Sequence, residues 1–134
     1  MTRYRSLLAA LIAMALTVPL GVATPASAMS AVVSADNAYA DPPPYQYELL
    51  VTGYATCSQP TGEERVYVAV WQSNPLAAGS EWAYITCTGG PVFWWAFVIS
   101  GLNPWTDGEL VGGTVTLYRG STQTASSQVN LVAQ

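Results

Sequence analysis

The chain has 134 residues, of which 51% are hydrophobic and only 9% charged. Four arginines, no lysine and no histidine stand against eight acids, a formal charge of −4. This excludes the basic footprint needed for nucleic acid or an anionic membrane surface. Without His or Lys, it also excludes Ser-His-Asp and Cys-His nucleophiles, His-bearing zinc sites, P-loops and Schiff-base chemistry.

Residues 1–28 read as a cleaved export signal. Arg3 and Arg5 form a basic start, Leu7 to Leu20 an apolar stretch interrupted by Pro19, and Ala26-Ser27-Ala28 a small-residue cleavage site before Met29. The apolar run is short for a membrane span and lacks a basic stop-transfer flank. A second, weaker cleavage candidate is Ala38-Tyr39-Ala40. Cleavage after Ala28 leaves 106 residues, enough for one domain with a core, and two arginines against eight acids, a formal −6. The expectation is a secreted, extracellular protein with no membrane insertion after cleavage. No cysteine follows the signal directly and no second apolar segment follows it, which predicts release rather than tethering.

Residues 29–44 form a lead-in that ends in Asp41-Pro42-Pro43-Pro44, a stiff extended edge, and Ser30 to Ser34 is a candidate edge strand. From residue 45 onward the pattern is that of the folded domain, 45–134. Tyr45, Tyr47, Leu49, Val51, Gly53, Ala55 and Cys57 share one face of a period-2 run, with Gln46, Glu48, Thr52 and Thr56 opposite. After a turn at Pro60 and Gly62, Arg65 to Gln72 alternates again, with Val66, Val68 and Val70 inward and Arg65, Tyr67 and Trp71 outward.

Asn74-Pro75 is expected to open a loop through Gly79, followed by a short strand with Ala83, Ile85 and Cys87 inward. Val92 to Ile99 is apolar at every position and reads as a central strand covered on both faces. A turn-rich segment follows, with Asn103-Pro104 and Asp107-Gly108. Two further strands, Leu110 to Arg119 and Thr122 to Ala133, carry Val115, Leu117, Val129 and Leu131 inward. No mature segment shows a 3.6-residue apolar stripe. The chain is therefore all-β: a single antiparallel β-sandwich of six to seven strands, immunoglobulin-like in a broad sense, with one disulfide.

Cys57 and Cys87 are the two cysteines, without CxxC spacing, and pair as a structural bridge in an oxidising compartment. Trp71 lies fourteen residues after Cys57, as in antibody domains. However, only thirty residues and one clear strand separate the cysteines, so an antibody-type bridge does not fit.

From Gln46 to Val132 the features are Gly53-Tyr54-x-x-Cys57, a Val-x-Val-x-Val strand ending at Gln72, Cys87-Thr88-Gly89, the pair Trp94-Trp95, Pro104-Trp105-x-x-Gly108, and a late Thr-x-Val-x-Leu strand. In this order they resemble a group of small secreted actinobacterial β-sandwich domains of unassigned function. The resemblance implies the fold and export, and no activity.

Carboxylates are the remaining acid–base groups. Glu63 and Glu64 are neighbours on a strand and point to opposite faces, so they cannot flank one cleft as a glycosidase pair does. Asp107-Gly108-Glu109 reads as a hydrated turn, without the spacing of a calcium loop. The expectation is no enzyme, no cofactor and no metal site.

Aromatics are the remaining functional signal. Trp94, Trp95, Trp105, Phe93 and Phe97 read mostly as filling of a small core. Strand parity places Tyr54, Tyr67, Trp71, Trp82 and Tyr84 opposite the core residues, where a second layer covers them or a ligand does. If uncovered, they suit an unknown protein partner or, as a carbohydrate-binding platform, a cell-wall polysaccharide. The expected role is a non-enzymatic binding or interaction domain at or outside the cell envelope.

Overall fold

A computed structural model describes residues 29–134; the expected export signal over residues 1–28 lies outside them. Seven strands follow in order: β1 (Val32–Ala40), β2 (Glu48–Thr56), β3 (Glu63–Ser73), β4 (Leu76–Thr86), β5 (Val92–Ile99), β6 (Leu110–Arg119) and β7 (Thr122–Val132). They form a three-stranded sheet, β1-β2-β5, packed on a four-stranded sheet, β4-β3-β6-β7, with every pairing antiparallel. This is the all-β sandwich that the alternation implies. No helix among the described residues is long and apolar enough to cross a membrane.

Residues that alternate inward on β2, β3, β5 and β6 fill the space between the sheets. Leu49, Val51, Val66, Val68, Val98, Val115 and Leu117 are fully buried. Two indoles complete the core and satisfy their N–H groups internally. Trp94 Nε1 donates to the Ser34 carbonyl at 3.0 Å, and Trp105 Nε1 to the Val98 carbonyl at 3.1 Å. Gly53 makes the first of these possible: a Cβ there would lie 1.9 Å from Ser34 O and 2.9 Å from the Trp94 ring.

Several sequence expectations change. The lead-in supplies β1, longer than Ser30 to Ser34, which pairs with β2 through a bulge between Ala35 and Asn37 and buries Val33 and Ala38. Cleavage after Ala40 would therefore remove a strand. Tyr45 and Tyr47 precede β2 and are exposed, because the chain turns there, Glu48 N–H donating to Tyr45 O. The expected loop from Asn74 to Gly79 shrinks to the two-residue turn Asn74-Pro75, since Leu76 already pairs with Ser73. Most important, β5 is an edge strand and not a central one, and one of its two apolar faces is bare. A run that is apolar at every position carries no parity contrast, so it reads as doubly covered.

The Cys57–Cys87 bridge joins the ends of β2 and β4, hence the two sheets, with Cα atoms 5.8 Å apart. Two strands, β3 and β4, lie between the cysteines rather than the one expected. Beside the bridge sits a buried carboxylate. Glu64 accepts from Ser58 N–H at 2.9 Å, Ser58 Oγ at 3.0 Å, Thr124 Oγ1 at 3.1 Å and Arg119 Nε at 3.1 Å. Arg119 in turn donates to Thr61 O at 2.7 Å. One charge thus ties the β2–β3 loop to β3, β6 and β7, with its lone pairs answered as burial demands.

Closing a thirty-residue loop contributes about 3.5–4 kcal/mol in the chain-entropy model. The Cys57→Ala/Cys87→Ala variant is expected to lose about that much in urea denaturation, with an unchanged far-ultraviolet spectrum below the transition. A loss under about 1 kcal/mol would show that the Glu64 network, not the bridge, holds this end together.

Candidate functional site

The core has room for valines, alanines and two indoles. Among the described residues no Tyr or Phe is buried. The rings therefore collect on the two outer faces, and these faces differ.

On the four-stranded sheet, β3 is flanked by β4 and β6, and register sets out the rows. Tyr67 pairs with Trp82 on one side and Thr116 on the other; Ala69 with Ser80 and Thr114; Trp71 with Ala78 and Gly112. Thr114 continues to Gln128 on β7. Tyr67 and Trp71 are four residues apart on one strand, about 13 Å. Between them lies a trough of 440 Å³ whose floor is Ala69, Ala78, Gly79, Ser80 and Thr114.

The upper wall of the trough is a tethered cluster. Trp82 lies 4.6 Å from Tyr67 and 5.6 Å from Tyr118 by ring centroids, reaching across β3, and the Arg65 guanidinium sits 4.6 Å from its centroid. Arg65 is held in turn by the Gly120 carbonyl at 2.8 Å. A cation and two tilted rings around one indole restrict its rotation. The lower end is marked by Trp71, half exposed. A Cβ built on Gly112 would lie 3.0, 3.3 and 3.4 Å from Cζ2, Cε2 and Cη2 of Trp71. Such nearly equal distances mean approach over the ring face, since an edge-on approach would spread them. The indole lies flat on Gly112, with its other face open to solvent.

The five aromatics expected outward are all on outer faces, yet they do not form one group. Tyr67, Trp71 and Trp82 share the trough. Tyr84 stands two residues beyond Trp82 on the same face, 71% exposed. Tyr54 belongs to the other sheet, where it meets Phe93 edge-on at 5.6 Å. Two wall residues, Tyr118 and Arg65, are missing from the sequence-derived group. Their outward parity was readable, but strand pairing brings them to Trp82: β3 with β4 for Arg65, and β6 across β3 for Tyr118.

On the three-stranded sheet the outer face carries Phe93, Trp95, Phe97 and Ile99, between 41% and 60% exposed. Sequence reading assigns the first three of these mainly to the core. A shallow apolar depression of 310 Å³ is lined by Leu50, Thr52, Phe93, Trp95 and Phe97.

Acidic groups are scattered. Glu63, Glu81 and Asp107 are exposed, and Glu64 is spent on the network above. Cys57, Cys87 and Glu64 come close enough to suggest metal ligands, but both sulfurs are committed to the bridge.

No family model and no curated relative matches this chain. Among solved structures, similar folds occur in a glycosyl hydrolase family 2 member from Bacteroides cellulosilyticus (TM-score 0.46, 13% identity, 77% of this chain and 14% of that one). They also occur in a β-glucuronidase of glycoside hydrolase family 2 (TM-score 0.43, 9% identity, 78% and 11%). A third is Spo0M, a sporulation control protein from Bacillus subtilis (TM-score 0.37, 8% identity, 80% and 49%). The chain spans only a small part of the two hydrolases, and at these identities no activity or ligand transfers from any of the three.

Gly113 follows Gly112 but serves β3 rather than Trp71. Its φ is +147°, and a Cβ would lie 2.0 Å from Ala69 O. Gly113→Ala is expected to destabilise the fold by about 2 kcal/mol or more. Gly112→Ala should cost under about 1 kcal/mol while raising the exposure of Trp71, read as a red-shifted, more quenchable Trp fluorescence. Equal stability losses in the two variants would contradict this division.

Proposed function

We propose that this chain is a non-catalytic binding domain acting outside the cell, and that the trough on the four-stranded sheet holds a carbohydrate. The observation that carries this reading is Trp71, laid flat over Gly112 and half exposed, at one end of a floor of small and hydroxyl-bearing residues whose other end is the Tyr67–Trp82 cluster. A pyranose has a face of C–H groups and a rim of hydroxyls. The first suits an open indole, and the second suits Ser80, Thr114 and Gln128 beside the floor.

A chain poor in charge and net acidic disfavours an anionic ligand. Scattered carboxylates and the lack of His and Lys leave no acid–base pair beside the trough, which supports binding without turnover. The export signal in residues 1–28 and the Cys57–Cys87 bridge support an extracellular setting, in which cell-wall polysaccharide is the abundant neutral polymer class.

Depletion of the purified domain by insoluble chitin, cellulose and bacterial peptidoglycan tests this. One polymer should remove the protein from solution, and Trp71→Ala should weaken binding about thirtyfold, the ~2 kcal/mol of a well-placed aromatic anchor. Trp95→Ala, on the other sheet, should bind as the wild type does. If no polymer depletes the protein, or if Trp71→Ala binds undiminished, the carbohydrate reading is wrong.

A further inference from the structure

The two sides of the sandwich end differently. On one side β1 is tied to the chain end after β7, Ala40 N–H donating to Gln134 O and Gln134 N–H to Ala38 O, each at 2.9 Å. On the other side the edges of β4 and β5 face each other. They touch where Gly79 allows it, a Cβ there falling 2.3 Å from Ile99 O, and then diverge. The divergence leaves a groove of 410 Å³ lined by Glu81–Tyr84 and Phe93–Phe97.

The two edges of this groove are not equally protected. On β4 the Glu81 carboxylate folds back and accepts from the Trp82 N–H at 2.8 Å, answering that donor and placing a charge on the edge. β5 has no such device: Val92–Ile99 contains no charge, no proline and no glycine. Edge strands usually carry one of these to prevent pairing.

The phase of the β2–β5 ladder shows which groups are free. Ser100 N–H donates to Tyr47 O at 2.8 Å, so alternate residues Val98, Ala96 and Trp94 direct their backbone groups toward β2. Phe93, Trp95 and Phe97 direct theirs toward the open edge. The same three residues carry exposed rings on the outer face.

We infer that this edge pairs with β5 of a second copy of the chain, antiparallel about a two-fold axis at Trp95, joining two three-stranded sheets into one of six strands. In that register Trp95 opposes Trp95 of the second copy and Phe93 opposes Phe97. All three positions are hydrogen-bonded pairs, and every outward side chain in them is aromatic. An antiparallel strand paired with itself is isologous, so a single edge supplies both halves of the contact. A second copy is also the occupant that the charge pattern admits. The mature chain is acidic, and β5 is a stretch where two such chains approach without opposing charges. Side chains of Phe93, Trp95 and Phe97, each about half exposed, offer ~300 Å² per copy beside the paired backbone. Two copies thus offer ~600 Å² of ring surface, below the range of standard specific interfaces, which sets the dimer at the weak, concentration-dependent end.

The test is sedimentation equilibrium of the purified, oxidised domain from about 1 µM to 1 mM, with single-cysteine crosslinking to read the register. The wild type should shift from monomer to dimer across that range, more readily at high salt, where net repulsion is screened. Trp95→Lys should raise the dissociation constant at least about tenfold with unchanged folding. Trp95→Pro, which removes one edge N–H without touching the β2 ladder, should do the same. Trp71→Ala should associate as the wild type does, separating this edge from the carbohydrate trough. Trp95→Cys should crosslink on oxidation, because hydrogen-bonded antiparallel partners lie about 5.5 Å apart at Cα. Phe93→Cys alone should not, its opposite number being Phe97. A chain that remains monomeric at about 1 mM overturns the inference and leaves the edge to an extended segment of another protein. So does association that survives both Trp95→Lys and Trp95→Pro.

Discussion

Much that is distinctive about this molecule follows from which side chains its inward positions hold. The interior is built from valine, alanine and a few larger aliphatics, with two indoles as the large fillers. Gly53 and Gly113 bring neighbouring strands closer than any side chain would permit. The other ten rings carried on the strands, from Tyr39 on β1 to Tyr118 on β6, all stay outside this core. Burial normally gathers large aromatics because they remove most apolar area from water. Here that demand is met by neighbours on the same face, as in the Tyr67–Trp82–Tyr118 cluster, or it is left open.

The two outer faces then carry different chemistry for reasons of register. On the four-stranded sheet the rings alternate with rows of alanine, serine, threonine and glycine, so aromatic walls rise from a small-residue floor. On the three-stranded sheet they stand in one unbroken row along an edge strand, with aliphatic neighbours and almost no polar lining. A trough with hydroxyls at its margin and an apolar ridge beside free backbone groups are suited to different occupants. The sandwich keeps them on opposite sides, so one need not obstruct the other.

Charge is used sparingly, and the buried carboxylate and both arginines of the described residues have partners. Glu64 is the one carboxylate taken fully out of water, and it is ringed by four donors. Arg119 and Arg65, the two arginines of the described residues, are both committed: the first to Glu64 and the Thr61 carbonyl, the second to Trp82 and the Gly120 carbonyl. Neither offers a free cation to an anionic ligand. What either face presents is therefore ring faces, hydroxyls and backbone groups rather than ion pairs.

By itself the sequence determined the all-β class, the inward valines of the second and third strands, the outward parity of Tyr54, Tyr67, Trp71, Trp82 and Tyr84, and the reach of the cysteine pair. Period-2 alternation and loop closure are local properties of the chain, legible wherever one face is apolar and the other is not. It could not place Phe93, Trp95 and Phe97, since a strand that is apolar on both faces has no contrast to read. It could not separate Tyr54 from the trough residues, nor bring Tyr118 and Arg65 to Trp82. Those relations depend on which strands are neighbours, on which strand ends a sheet, and on what covers each face. Pairing between segments far apart in sequence decides all three, and only the tertiary structure contains it.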